Sequence, residues 1–269
     1  MSGIGLGFAE VLLSKGCNII LHGRNQSKLE SVRNKLLASH PARQIRILVL
    51  DADKSASDTT ALDAGAATLS DISLRILINN VGGPDSTKSS FTPLASRSSD
   101  EIRQFLDINA RFTTELTRVV LPHLIAAQPA LILTIGSGIS EPTLPVPYLG
   151  IYAGAKAYTQ TWARSLRMEM RAEGLDIEVL HLQVGQVATA REIEAGRSVG
   201  WLTPSQEALA RAGLERVGTG RSEVWAYWSH AVVFWGVLGV LPRRVREWLV
   251  LRLLEREKAR MRAGEKVAD

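Results

Sequence analysis

Short apolar runs and helical patterns alternate along the chain up to about residue 185. Five runs of mostly apolar residues are typical of buried strands: Asn18–Leu21, Ile45–Leu50, Leu74–Ile78, Leu131–Ile135 and Ile177–Leu182. Five segments predict helices: Gly5–Lys15, Lys28–Ser39, Thr59–Leu69, Glu101–Ala126 and Tyr152–Ala172. This alternation predicts an α/β fold with a parallel sheet covered on both faces. Ligands bind such sheets beyond the carboxyl ends of the strands, and the polar stretch Pro84–Ser99 is predicted to be a surface loop near that edge.

The pattern changes after residue 223. No Asp, Glu, Lys or Arg occurs in the 19 residues from Val224 to Pro242, which include three Trp. That length approaches the roughly 18–20 residues that span a bilayer, although His230 and two glycines weaken this interpretation. Arg243–Arg262 then places leucines and Trp248 among arginines, which predicts an amphipathic basic helix lying in a membrane interface. The alternative is a helix packed on the domain or in an oligomer contact.

Composition narrows the class of protein. The chain has 269 residues, 45% of them apolar, which supports one sizeable core. The single cysteine, Cys17, excludes an internal disulfide and fits a reducing compartment. Residues 243–266 hold nine Lys or Arg and four Glu, which accounts for the whole net charge of +5. This local basicity argues against a nucleic-acid surface and favours a local anionic partner such as a membrane.

A candidate catalytic pair lies at the start of the fifth predicted helix. Tyr152 and Lys156 are four residues apart, so their side chains share a helical face. An ammonium stabilises a phenolate, so such a tyrosine can pass a proton to a carbonyl oxygen nearer to neutral pH than its ordinary pKa of about 10 allows. Ser137, at the end of a predicted strand, could hold that carbonyl in line. The spacing alone is a weak signal, because many solvated helices carry it by chance.

The sequence Ser2-Gly3-Ile4-Gly5 looks like the second half of a glycine-rich turn that feeds a helix. Such a turn lets a pyrophosphate approach the backbone and the helix N-terminus. The alternative interpretation is an ordinary glycine-rich start.

Taken together, these residues resemble the short-chain dehydrogenase/reductase family. The matching positions follow the family's order: Ser2-Gly3-Ile4-Gly5, Gly23-Arg24-Asn25, Asp51, Asn79-Asn80-Val81-Gly82, Asn109, Ser137, Tyr152 and Lys156. Asn-Asn-Val-Gly, Pro145-Val146-Pro147 and the Trp-rich end resemble the branch with very-long-chain 3-oxoacyl-CoA reductases and 17β-hydroxysteroid dehydrogenases. The resemblance implies a Rossmann-like, doubly wound parallel sheet in residues 1–223, followed by a helical tail, residues 224–269.

The resemblance implies roles at the catalytic positions. Tyr152 would be the general acid, and Lys156 would lower its pKa and hold the nicotinamide ribose. Ser137 would orient the carbonyl, with Ser140 as a rival because the spacing from Ser137 to Tyr152 is longer than usual. Asn109 would hold a water in the proton relay; the alternative is a helix-interior amide bonded to backbone.

The resemblance also implies a cofactor-binding set: Gly3, Ile4, Gly5, Arg24, Lys28, Asp51, Asn79, Gly82, Tyr152, Lys156, Gly185, Val187 and Thr189. The alternatives are a strand-end turn for Asn79 and Gly82 and a helix N-cap for Asp51. An NAD-selecting site places an acid at the end of the second strand, and here that end has none. Arg24, with help from Lys28, suits a 2′-phosphate, which favours NADPH. The alternative for Arg24 is a solvated turn residue.

Two features depart from the family. The strand that should precede Gly3, and the glycine four residues before it, are absent from the sequence. That strand is central in the family, so we expect unpaired backbone edges inside the sheet, in a truncated product or fragment, unless another segment fills the gap. Val184-Gly185 replaces the usual Pro-Gly, which predicts a looser nicotinamide pocket.

We therefore expect an NADPH-dependent reductase that converts a ketone on a lipophilic substrate (3-oxoacyl thioester, steroid-like or polyketide-type) to a secondary alcohol. Trp201 and Leu202 would form a substrate lid or simply cover the core. The alternative is a degenerate, non-catalytic relative that binds a lipid, a membrane or a partner. The tail predicts association with a membrane on its cytosolic side, with the endoplasmic reticulum as the candidate compartment and a cytoplasmic location as the alternative. A homodimer is a further candidate partner, and neither nucleic acid nor metal is expected.

Overall fold

The computed structural model describes residues 3–84, 92–141, 145–194 and 196–268, with the backbone alone at residue 191 and from residue 257 onward. The strands within these residues are β1 (Ile19–Gly23), β2 (Ile45–Val49), β3 (Ile76–Asn79), β4 (Ala130–Ile135), β5 (Ile177–Gln183) and β6 (Glu223–Trp225). The helices are α1 (Ile4–Ser14), α2 (Gln26–Ser39), α3 (Ala52–Ser57), α4 (Thr60–Ala67), α5 (Ser99–Leu106), α6 (Phe112–Ala126), α7 (Gly150–Ala172), α8 (Ala190–Glu194), α9 (Gln206–Leu214), α10 (Trp228–Ala231) and α11 (Arg243–Ala268). The five strands predicted from apolar runs are all present, so the α/β prediction is confirmed.

The strands form two parallel sheets. β1 pairs with β2, with Ile19 opposite Ile45. The other four strands pair in the order β3-β4-β5-β6, and every pairing is parallel. β4 is buried along its whole length, as expected of a central strand covered on both faces.

An open slot lies between β1 and β3. It is a cavity of about 670 Å³ whose lining comes mainly from α1, β1, β3 and α6, and it includes Phe8, Leu21, Ile76 and Phe112. Among the described residues, β1 pairs only with β2 and β3 only with β4, and no other strand occupies the slot. The expectation of unpaired strand edges inside the sheet is therefore confirmed for the described part of the chain.

Helices cover both faces of the four-stranded sheet, and successive side chains of β4 point to opposite faces. Ile132 packs in a cluster with Phe112 of α6 and Leu166 of α7. Leu131 and Leu133 pack on the other face, with residues such as Phe8 of α1 and Leu209 of α9. This alternation follows from the period of two along a strand, and it produces the predicted doubly wound arrangement.

The predicted helix Glu101–Ala126 is present but is interrupted. It begins at Ser99, and the N-cap residue Ser98 forms a capping box: its side chain accepts from the Glu101 N–H while the Glu101 carboxylate accepts from the Ser98 N–H. A π-helical turn, Asp107–Arg111, then separates α5 from α6. Of the predicted loop Pro84–Ser99, residues 85–91 lie outside the described residues, and Leu94–Ser96 forms a 3₁₀ turn.

The tail is not one continuous helix. Its first two residues belong to β6, which pairs with β5, so the predicted boundary between residues 223 and 224 falls inside a strand. The short helix α10 and a π-helical turn, Val232–Leu238, follow before the predicted basic helix, which forms α11. Within the described residues, no helix combines the length and the apolar character needed to cross a bilayer.

Candidate active site

Tyr152 and Lys156 project into one space from the first turns of α7. The Lys156 ammonium lies 5.9 Å from the centroid of the Tyr152 ring, so both side chains are on the same face of the helix. Both are buried, Tyr152 with 9% and Lys156 with 5% of its surface exposed. The ring of Tyr152 also meets Phe105 edge-on, with centroids 6.2 Å apart, which helps to fix its orientation.

The Lys156 ammonium is held at the carboxyl end of β4. Its Nζ donates to the carbonyl of Ile135 at 2.8 Å. Burial disfavours the charged form and lowers the pKa of Lys156 from 10.5 to about 8. A Cβ on Gly82, just after β3, would lie 3.7 Å from this Nζ, so the ammonium also approaches the turn that follows β3.

Asn109 lies in the π-helical turn between α5 and α6. Its Nδ2 donates to the Phe105 carbonyl at 3.0 Å, and its Oδ1 accepts from the Gly83 N–H at 2.7 Å. The alternative predicted for Asn109, an amide bonded to backbone, is therefore observed. The same bonds tie the π turn to the Gly82–Gly83 turn beside Lys156; π turns frequently occur at functional sites.

Ser137 and Ser140 differ in what their hydroxyl groups already bind. Ser140 donates to the Ser137 carbonyl at 2.9 Å and accepts from Gln183 at 3.1 Å, and it is buried. Ser137 is half-buried, and its Oγ only accepts from the Ile139 N–H, at 3.4 Å, among the described residues. Because the proton of Ser140 is engaged and that of Ser137 is not, the geometry favours Ser137 as the donor to a carbonyl.

The glycine-rich start and the segment after β5 lie side by side. Gly3 adopts a φ of +74°, and a Cβ there would lie 3.2 Å from Cγ2 of Thr189. A Cβ on Gly5 would lie 2.7 Å from Nδ2 of Asn80, and Ile4 packs partly buried against the core. Asn80 follows β3 and Thr189 follows β5, so the start of α1 lies at the carboxyl edge of the sheet. Its backbone N–H groups are therefore next to Thr189, where an anion could approach them. Ser2 lies outside the described residues.

Four residues of the predicted cofactor-binding set lie at or just after the carboxyl ends of β1, β2 and β3. Arg24 and Lys28 are exposed after β1, and neither has a carboxylate partner in the part of the chain that the structure describes. Asp51 caps α3 by accepting from the Asp53 N–H at 3.2 Å, as its alternative interpretation predicted. Asn79 donates to Thr117 at 3.0 Å, and its buried Oδ1 has no partner among the described residues.

The turn after β5 is held from two sides. The Gly185 N–H donates to Nδ1 of His230 at 3.1 Å, and the Ala188 N–H donates to the Pro204 carbonyl at 2.9 Å. Val187 is buried in the core. Trp201 and Leu202, the predicted lid residues, follow Gly200, which forms a bridge with Thr203.

The sequence profile described as short chain dehydrogenase matches residues 1–198. The chain belongs to the short-chain dehydrogenase/reductase family. A very-long-chain 3-oxoacyl-CoA reductase of Neurospora crassa is 33% identical in an alignment of 240 positions, which covers 87% of this chain and 69% of that protein. A protein of the same name from Pyricularia oryzae is 30% identical in an alignment of 270 positions, gaps included, which covers 98% of this chain and 78% of that protein. The family and the branch predicted from the sequence are thus confirmed.

Solved structures of the family share the fold. A short-chain dehydrogenase from Sphingobium yanoikuyae in complex with NADPH gives a TM-score of 0.70 at 21% identity, over 92% of this chain and 91% of that chain. A 7β-hydroxysteroid dehydrogenase gives a TM-score of 0.75 at 16% identity, over 93% of each chain. The Rossmann-like fold predicted for this family member is confirmed.

Polar residues of β5 were missed by the sequence analysis of this family member. Gln183 bonds to Ser140 and also donates to Glu223 at 3.3 Å. His181 is fully buried, and burial is the main cause that lowers its pKa to about 3, with the Lys156 charge adding to it. The signal was available, because positions 181 and 183 share one face of a strand whose only other polar residue is Glu178.

Tyr148 was also missed. It is the only non-glycine residue with positive φ among the described residues, at 68°, and it lies just before Leu149, the N-cap residue of α7. Backbone strain of this kind concentrates at functional sites.

Proposed function

We propose that this protein is a ketoreductase that uses NADPH to reduce a ketone on a lipophilic substrate to a secondary alcohol. The observation that carries the proposal is the shared position of the Tyr152 phenol ring and the buried Lys156 ammonium, 5.9 Å apart, at the carboxyl end of β4. The carboxyl edge of a parallel sheet is where ligands of this fold class bind.

The described residues fit a nicotinamide nucleotide. The glycines at positions 3 and 5 leave no side chain between the start of α1 and its surroundings, and the orphaned Oδ1 of Asn79 offers a buried acceptor. Arg24 and Lys28 would meet the 2′-phosphate, for which an unpaired guanidinium is suited. Gly185, Val187 and Thr189 would line the nicotinamide end. When bound, the cofactor supplies the hydride.

The proton chemistry is assigned to this chain's own residues. Tyr152 would donate its phenolic proton to the carbonyl oxygen of the substrate, and the adjacent Lys156 charge would stabilise the phenolate that remains. Ser137 would donate a hydrogen bond to the same oxygen and align it. Lys156 has a pKa of about 8, so it is mostly protonated at neutral pH, as this role requires.

The substrate class rests on the relatives and on exposed apolar residues near the lid. The two fungal relatives are named very-long-chain 3-oxoacyl-CoA reductases, which favours a 3-oxoacyl thioester. Trp201 is 60% exposed and lies 6.4 Å from the ring of Trp228, so the lid presents an aromatic surface suited to an acyl chain.

Substitution of the phenol tests the catalytic assignment. Tyr152→Phe is expected to abolish reduction of a 3-oxoacyl thioester or a generic aromatic ketone by NADPH while preserving the fold. Tyr158→Phe is the matched control, because Tyr158 lies on the same helix, is exposed and bonds to Thr114 at 3.0 Å. Equal activity in the two variants would show that Tyr152 is not the general acid.

A non-catalytic role is the second candidate, and the slot between β1 and β3 favours it. A family member with unpaired edges beside its cofactor helix could retain binding of a lipid or partner without turnover. Titration with NADPH, followed by tryptophan fluorescence and melting temperature, separates the two. No response up to millimolar cofactor would favour the non-catalytic role.

Attachment to an anionic membrane surface through the tail is a further part of the proposal. Trp228, Trp235 and Trp248 are each more than half exposed, and the guanidinium of Arg252 lies 5.6 Å from the centroid of the Trp248 ring in α11. Aromatic and basic side chains together favour a headgroup interface, here on the cytosolic side of a membrane such as the endoplasmic reticulum. Cosedimentation with anionic vesicles should fall when these three residues become serine; unchanged binding would argue for a protein free in the cytoplasm.

A further inference from the structure

The side chain of His230 joins three backbone segments that are far apart in sequence. Its Nδ1 lies 3.1 Å from the nitrogen of Gly185, and its Nε2 lies 3.2 Å from the Gln186 carbonyl and 3.3 Å from the Leu202 carbonyl. The ring is 2% exposed and packs beside Trp225 and Tyr227. The start of the tail is therefore bonded both to the turn after β5 and to the lid.

The hydrogen bonds define the tautomer of His230. A backbone N–H can only donate, so Nδ1 must accept from Gly185 and the ring proton must reside on Nε2. That Nε2–H is shared between the two carbonyls. A second proton on Nδ1 would point at the Gly185 N–H, and burial also lowers the pKa of His230 below its ordinary value. The arrangement therefore requires the neutral ring.

The backbone of the turn after β5 approaches the His230 ring closely. A Cβ on Gly185 would lie 2.8 Å from Cδ2 of His230, so only glycine allows the contact without displacement. The neighbouring Ser229 donates to the Trp201 carbonyl at 2.6 Å, which adds a second link between tail and lid. On its other side, the turn continues to Thr189, which lies against Gly3.

We propose that His230 is a positioning residue that sets the spacing between the turn of residues 185–189 and the lid of residues 200–203. This inference rests on the proposed ketoreductase function, because that turn would line the nicotinamide end and the lid would cover the substrate. His230 acts through Gly185, Gln186 and Leu202 and touches neither reactant. It also means that the lid is anchored to the segment that leads into the exposed aromatic tail.

Three substitutions of His230 separate the bond that Nδ1 accepts from Gly185 from the bonds that Nε2 donates to Gln186 and Leu202. His230→Asn can keep an acceptor near the position of Nδ1, and His230→Gln can keep a donor near the position of Nε2. His230→Phe keeps an aromatic ring of similar shape but can make neither hydrogen bond. His123→Phe is the control, because it makes the same change at a partly buried histidine in α6 for which no side-chain hydrogen bond is seen among the described residues. We expect His230→Phe to lower kcat on the order of tenfold with little change in NADPH affinity, because misplacement of a reacting group by about 1 Å costs up to a hundredfold. The Asn and Gln variants should each recover part of the loss.

Two measurements test the hydrogen bonds of His230 without requiring catalytic activity. Long-range ¹⁵N–¹H spectra of the wild-type protein should show an unprotonated Nδ1 and a protonated Nε2 for His230. Amide exchange at Gly185 should be faster in His230→Phe than in His123→Phe. A proton on Nδ1, or equal exchange in the two variants, would overturn the proposal. If the wild-type protein fails to bind NADPH, the ketoreductase function fails instead, and the exchange rates still decide whether His230 holds the turn. Equal kcat in His230→Phe and His123→Phe would refute the positioning role in an active enzyme.

Discussion

Gly82 and Asn109 are in a contact that excludes any side chain at position 82. A Cβ on Gly82 would lie 2.6 Å from Oδ1 of Asn109, and Gly82 has a φ of +130°. The same Oδ1 accepts from the Gly83 N–H at 2.7 Å. The turn after β3 therefore packs closely against the π-helical turn, and both turns lie next to the Lys156 ammonium.

Gly82→Ala tests this fit. The added methyl group must displace Asn109 and imposes a strained φ, so we expect a loss of about 1–3 kcal/mol in the free energy of unfolding and a fall in turnover. Gly83→Ala is the control, because a Cβ there meets nothing within 4 Å and the N–H that Asn109 binds is retained. Urea unfolding and steady-state kinetics measure both effects. A Gly82→Ala protein as stable as Gly83→Ala would contradict the contact.

The pKa of Lys156 predicts opposite trends for activity and stability. It is lowered by burial from 10.5 to about 8, so catalysis that needs the ammonium should decline as the pH rises through about 8. The unfolded chain still binds this proton up to 10.5, and it therefore holds more protons than the folded chain between these two values. The contribution of Lys156 to the free energy of unfolding thus rises with pH in that window.

A pH profile of kcat/KM, together with unfolding of the wild-type protein and Lys156→Met, checks both signs. The variant should lack the Lys156-dependent rise in stability. Activity that stays level up to the ordinary pKa of lysine would show that the ammonium is not required.

Cofactor preference should depend on the charge at position 24. Arg24→Asp is expected to weaken NADPH relative to NADH by about 10- to 100-fold, the range of one charge-assisted hydrogen bond. Lys35→Asp, an equal change of charge on the exposed surface of α2, should leave the ratio unaltered. Dissociation constants for both nucleotides give the answer, and an unchanged ratio in Arg24→Asp would leave Arg24 as a solvated turn residue.

The slot between β1 and β3 should accept an added strand. An extended peptide of about five Val and Ile residues should pair with the edges of β1 and β3 that have no partner within the described residues, and it should raise the melting temperature, since a ligand at 100 times its Kd stabilises by about 2.7 kcal/mol. The same peptide with a central Pro lacks one N–H and should stabilise less. Equal effects of the two peptides, or no effect of either, would indicate that the slot does not pair with a strand.

The sequence analysis recovered those features that depend on local periodicity. The buried runs predicted β1 to β5, and the spacing of Tyr152 and Lys156 predicted their shared face, because both follow from regular backbone geometry. β6 was missed because only three residues pair, and two of them, Val224 and Trp225, begin the uncharged stretch that was interpreted as part of a helical tail. The contacts of His230 were missed because they join residues about 30 to 45 positions apart, which no periodic pattern records.

β6 has a practical consequence for dissecting the molecule. Its residues Val224 and Trp225 complete the edge of the sheet next to β5, so a deletion that starts at residue 224 would strip a strand as well as the aromatic segment. Loss of membrane binding in such a shortened protein would be confounded with collapse of the edge beside Gln183. Shortened proteins that end after Pro242, or surface substitutions, separate the two properties. Because Trp225 lies opposite Gln183 and Gln183 donates to Ser140, any shift of β6 should also change the position of the Ser140 hydroxyl.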